Sequence, residues 1–83
     1  MNEERRGALR HRTLKGGLIH FNDGRSTISC LVRNLSEHGA MLKVESVIGI
    51  PDEIILGLED GARKPARVVW RRANELGITF DLP

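Results

Sequence analysis

Residues 26–34, STISCLVRN, put Ile28, Cys30 and Val32 on one face and Thr27, Ser29, Leu31 and Arg33 on the other. That is the period of two a half-buried strand requires. GAMLKVE, residues 39–45, repeats it with Ala40, Leu42 and Val44 opposite Met41 and Lys43. No window of eleven residues holds a 3.6-residue period, so the scaffold is built from strands rather than helices. GGLIHF (16–21) is a short apolar run that ends in NDG (22–24), a turn signal of antiparallel hairpins. EIILGLE (53–59) points Ile54, Leu56 and Leu58 inward, EDGAR (59–63) turns, ARVVWR (66–71) forms a fifth strand, and RRANE (71–75) turns into a sixth, LGITF (76–80). Between the third and fourth strands, SVIGIPDE (46–53) reads as a connection whose Val47, Ile48 and Ile50 cap one end of a core.

Six short strands in an open sheet would leave two bare edges, so closure into an antiparallel β-barrel is expected. A chain of 83 residues has room for one small domain. Residues 1–15 read as an arm and 16–83 as the barrel, with nothing after Phe80 long enough for a C-terminal helix.

Charge divides unevenly along this plan. The first 15 residues carry Arg5, Arg6, Arg10, Arg12 and Lys15 against Glu3 and Glu4, whereas the other 68 hold eight basic and nine acidic side chains. All of the positive excess therefore lies in the arm. General nucleic-acid binding favours a basic stripe across the folded face, since affinity grows with the number of phosphates neutralised. A short cationic arm suits a small anion better. Phe21, Trp70 and Phe80 are the three aromatic residues, and all are read as inward, which leaves no platform for stacking a row of bases. Nucleic acid is accordingly disfavoured as a partner.

A single cysteine, Cys30, has no internal partner for a disulfide, and zinc-type Cys/His spacings are absent. Its alternation with Ile28 and Val32 marks a small buried hydrophobe. The N-terminus has no apolar signal region, and no eighteen apolar residues run together, so a cytoplasmic protein that does not insert into membranes is expected. His11, His20 and His38 are widely spaced and no nucleophile has a recognisable base; neither a metal site, a cofactor nor an enzyme is expected.

Two constellations carry chemistry. Arg6 and Arg10 form an RxxxR spacing, with Arg5 beside it, and NLSEHG (34–39) forms NxSxxG through Asn34, Ser36 and Gly39. Asn34 and Ser36, two apart at a strand end, leave the same face, and Gly39 can adopt positive φ and let a ligand approach the backbone. Both polar residues also suit a plain turn, because their side chains bond their own backbone in loops. Trp70 falls on the Ala66 and Val68 face, so packing in the core is its simplest role. Arg12, Lys15, Arg71 and Arg72 read as solvated charges.

RxxxR followed by NxSxxG resembles the PilZ domain. The likeness continues through ERRGALR (4–10), VRNLSEHGAMLKV (32–44) and VVWRRANELGITF (68–80), essentially the whole chain. It implies a six-stranded antiparallel barrel of the split-barrel type that binds the bacterial second messenger cyclic di-GMP and acts on another protein, in settings such as motility or biofilm control. By the same resemblance Arg6 and Arg10, assisted by Arg5, would grip phosphate and guanine. Asn34 and Ser36 would meet a guanine edge, Gly39 would shape the turn, and Trp70 matches a position that contacts nucleotide in some members. Asn34 stands where many members have Asp, a neutral amide whose one oxygen accepts fewer guanine N–H bonds, and the family's common C-terminal helix is missing.

The chemistry suits those residues. A guanidinium fork matches phosphate oxygens and the O6 and N7 acceptors of guanine, and it stacks on purines. An arm that is flexible when empty and ordered when bound would change the shape and charge of one surface, and so signal to an unidentified downstream protein. Two other readings stay open here: a barrel of the same kind that contacts proteins without binding nucleotide, and a small barrel that binds RNA or DNA.

Overall fold

A computed structural model describes residues 15–82. They form six strands and no helix: β1 Lys15–Phe21, β2 Ser26–Arg33, β3 Gly39–Lys43, β4 Glu53–Leu58, β5 Arg63–Arg72 and β6 Glu75–Thr79. All pairings are antiparallel, and the ring runs β1-β2-β3-β6-β5-β4 before β4 returns to β1. Closure leaves no long open edge. No helix among the described residues is long and apolar enough to cross a membrane.

The alternation seen in the sequence fills the barrel. Ile19 of β1, Cys30 and Val32 of β2, Leu42 of β3, Ile54 and Leu56 of β4, Ala66 and Val68 of β5, and Leu76 and Ile78 of β6 are buried together. Val44 and Ile50 close one end from the β3–β4 connection, and Phe21 and Phe80 pack at the margin. No polar or charged side chain is buried among the described residues, so apolar burial drives the fold without a desolvation cost inside.

At Asn22–Gly24 the first hairpin reverses with three successive positive φ angles, 56°, 56° and 84°. Side-chain oxygens and the missing Cβ make such angles tolerable in Asn, Asp and Gly. β5 is longer than expected because it changes partner midway. Residues 63–67 pair with β4, and residues 67–72 pair with β6. Pro65 lies in the half with no β6 neighbour, where a strand position lacking an N–H costs little.

Four expectations are corrected. Ile48 is 85% exposed and caps nothing. Gly49 takes φ of 87° and Ile50 N–H bonds Val47 O at 3.4 Å, a tight turn that sends Val47 and Ile50 inward and Ile48 out. The turn expected over 71–75 shrinks to Ala73–Asn74, because Arg72 still pairs with Glu75. Arg71 is not a free solvated charge: it donates to Ile50 O at 2.7 Å and to Asp52 Oδ1 at 2.6 Å, tying β5 to the β3–β4 connection.

The fourth concerns Trp70. Val68 pairs with Ile78 but Trp70 pairs with Gly77, so the two strands slip by one residue in a β-bulge. The extra residue, Val69, breaks the alternation. Trp70 therefore leaves the Ala66 and Val68 face and lies on the outside, 39% exposed. The reading of all three aromatics as inward fails at this one.

Candidate functional site

Val32 and Arg33 end β2 in regular pairing with Leu42 and Met41, and then the chain breaks direction at Asn34, whose φ is 51°. Asn is among the few residues with a side chain that tolerates this region. Strand alternation thus stops at Arg33, and Asn34 and Ser36 lie in a turn rather than at the end of an extended strand, which their expected common face required. The Asn34 side chain is exposed, and no hydrogen bond to it is found among the described residues.

Ser36 holds the loop together. Its Oγ accepts from His38 N–H at 3.1 Å and Gly39 N–H at 3.3 Å, lies 3.3 Å from Gly39 O, and its own N–H donates to Gly39 O at 2.9 Å. The turn role weighed for Ser36 is what its hydroxyl performs here. Across the loop, His38 O accepts from Phe80 N–H at 2.8 Å and from Thr79 Oγ1 at 3.2 Å. The loop is therefore sutured to the end of β6 on one side and continuous with β3 on the other. His38 itself stands between Asp81, 3.2 Å from Nδ1, and Glu37, 3.8 Å from Nε2.

Gly39 is required for a reason other than the one expected. It is not among the glycines with left-handed φ. A Cβ at this position would instead collide with the carbonyl oxygen of Ile78, since β3 and β6 approach closely where their pairing begins. The residue that takes positive φ in the motif is Asn34.

Asn34, Ser36, Gly39 and Trp70 line one shallow groove of about 380 Å³, floored by Met41, Gly77 and Thr79 on the outer face of β3, β6 and β5. Gly77 gives Trp70 its place. A Cβ there would strike the five-membered part of the indole, so the ring packs directly against bare backbone, an aromatic covering a cross-strand glycine. The Arg72 guanidinium sits over the indole, 5.5 Å from a ring centroid. Sequence reasoning named Trp70 as a contact but missed Gly77, Arg72 and His38. The Trp–Gly pairing depends on a bulge that no local pattern announces, whereas His38 could have been noticed as part of the NxSxxG loop.

Arg5, Arg6, Arg10 and Arg12 lie outside the described residues, as does most of the expected arm. What is described is its root. Lys15 pairs with Val32, two residues before Asn34, so the chain enters β1 at the end of the barrel from which the motif loop leaves β2. Five residues of extended chain span up to about 17 Å, which sets the distance Arg10 can lie from Lys15.

A larger concavity, about 910 Å³, lies over β1, β4 and β5, and among the described residues it contains none of the NxSxxG motif. β4 is three strands from β3 in either direction round the ring, so this hollow is on the opposite side. Its Arg67 and Glu53 pair with each other at 3.3 Å, which reduces its pull on an anion. Among the described residues no group of three His, Cys, Asp or Glu could hold a metal ion. Cys30 is buried, and burial pushes its thiol pKa up from 9.0 to about 11, the opposite of what a nucleophile needs.

A family model described as the PilZ domain matches residues 4–83. No curated protein matches the chain closely enough to count as a relative.

Proposed function

Because the chain belongs to the PilZ domain family, a family of cyclic di-GMP-binding domains, we propose that it binds cyclic di-GMP in the groove beside Trp70 and reports that binding to a partner protein. The observation that carries this reading is the common end of β1 and β2. Lys15, where the arginine-bearing segment joins the barrel, is paired two residues short of Asn34. A segment that starts from Lys15 can therefore bring Arg6 and Arg10 to the polar loop without crossing the barrel.

In this reading Arg6 and Arg10, with Arg5 beside them, clamp the phosphates and the O6 and N7 edge of a guanine. Asn34 offers its amide oxygen to guanine N–H donors, and the outward indole supplies a stacking face. Ser36 through its hydroxyl and Gly39 through its missing Cβ keep the loop's shape before ligand arrives, so little ordering cost falls on that half of the site. The arm bears the other half. Closing residues 1–14 over an anion changes the charge and outline of one surface, and that change is the message to the partner. The function is binding rather than catalysis.

The test is a calorimetric titration with cyclic di-GMP, GTP, linear pGpG and a short oligonucleotide at two salt concentrations. Selective binding of the cyclic compound with modest salt dependence is expected. Arg6→Ala or Arg10→Ala should remove about 2–5 kcal/mol, enough to abolish measurable binding, while the melting of the empty protein stays unchanged. Equal binding by the double variant would refute this reading. A second reading is favoured by Ser36, whose hydroxyl is spent within the turn: the barrel contacts proteins and leaves nucleotide alone. Absence of binding to every compound is its result, and steep salt dependence with the oligonucleotide would point to nucleic acid instead.

A further inference from the structure

Three arginines of the barrel are held by carboxylates: Arg33 by Glu75 at 3.7 Å, Arg67 by Glu53 at 3.3 Å and Arg71 by Asp52 at 2.6 Å. Arg72 is different. Among the described residues its guanidinium makes no ion pair, and it rests over the Trp70 ring. Gly77 packs against the five-membered part of that ring, which leaves the guanidinium and an incoming base to share the ring surface that Gly77 does not cover. A planar, delocalised cation and a purine compete for one surface.

Building on the nucleotide reading of this groove, we propose that Arg72 is a further ligand-binding residue: a purine that stacks on Trp70 takes the guanidinium's place, and Arg72 turns its N–H fork onto the ligand's anionic oxygens. Such an exchange is favourable for both partners. An exposed cation–π contact is weak and readily given up, whereas a charge-assisted hydrogen bond to phosphate is among the stronger polar contacts. Arg72 follows the bulge at Val68 and Trp70 and is the last residue of β5, pairing with Glu75 across the two-residue turn. The slip that turns the indole outward thus determines where this second cation stands.

Calorimetric titration of cyclic di-GMP into the wild type, Arg72→Ala, Arg72→Lys and Arg63→Ala tests this, with Trp70 emission followed in parallel. Arg63 is the control, an exposed arginine at the other end of β5 that borders the opposite concavity. Arg72→Ala should weaken binding about tenfold or more, Arg72→Lys should recover part of the loss as a point charge, and Arg63→Ala should stay within about twofold of wild type. Trp70 emission of the empty protein should change in Arg72→Ala, because the ring loses its cover. Should that variant melt differently from wild type, Arg72→Gln, which keeps the stem, carries the comparison. Affinity of Arg72→Ala within about twofold of wild type overturns the proposal, and so does an equal loss in Arg63→Ala, which would mean a diffuse field in place of a contact. A wild type that binds no cyclic di-GMP refutes the functional reading itself, and the assignment of Arg72 falls with it.

Discussion

The thiol of Cys30 faces Gly17 and Val32 inside the barrel, where an anion would lose its hydration without gaining a partner. With its pKa raised to about 11 from 9.0, the native protein keeps the proton over a range in which the unfolded chain releases it. The unfolded state then binds fewer protons than the native one, so stability falls as pH rises from about 9 to 11, with no contribution below that window. Urea unfolding of the wild type against Cys30→Ala at pH 8, 10 and 11 checks it: the wild type should lose ground relative to the variant across the series, and parallel curves would contradict the burial argument. The position of Cys30 was legible in the sequence because a strict period of two leaves each residue only two faces. Trp70 was not, since its face depends on a one-residue slip against β6, a fact about pairing and not about neighbours in the chain. Asn34 was legible as polar and as part of a motif, but its left-handed φ and the backbone contact that demands Gly39 emerge only when β3 meets β6.

Among the elements, the β5–β6 hairpin decides what the groove presents. Its turn carries Ala73 at φ of 49°, a conformation that disfavours alanine, and this explains why the sequence, with no glycine there, suggested a looser turn. The bulge then aims Trp70 outward and Gly77 receives it, so side chain and glycine act as one unit. Gly77→Ala should separate them: a methyl group where the indole lies forces the ring off β6. The expected outcome is a red-shifted Trp70 emission, a stability loss of about 1–3 kcal/mol from overpacking, and weaker nucleotide binding. Emission and affinity both unchanged would show that the indole has another resting place. By contrast, the loop from Asn34 to His38 depends little on side-chain size. Ser36 Oγ accepts from His38 N–H inside it, and Phe80 N–H and Thr79 Oγ1 donate to His38 O across it, which is why a motif of small polar residues and glycine could be recognised without knowing the register.

At the scale of the molecule, antiparallel pairing of β2 with β1 and with β3 brings the start of β1, the end of β2 and the start of β3 to one end, so residues far apart in the chain share a corner. Fold class followed from alternation and turn chemistry because a closed barrel satisfies every strand edge at once. The site followed only in part, because the groove is assembled from strands that topology brings together, and the proposed arginine contacts fall outside the described residues. Family membership supplies the ligand class, and the geometry supplies the reason the arm can serve the loop: a short tether beginning at Lys15. The central claim is that the arm and the loop meet around cyclic di-GMP. A nitroxide on Ala8→Cys, with the buried Cys30 left unlabelled, reads this directly through paramagnetic broadening of backbone amides and the Trp70 indole N–H. The account predicts that adding cyclic di-GMP broadens residues 34–40 and Trp70 while β4 is spared. Ligand binding accompanied by broadening on β4, or by none on the loop, would contradict it.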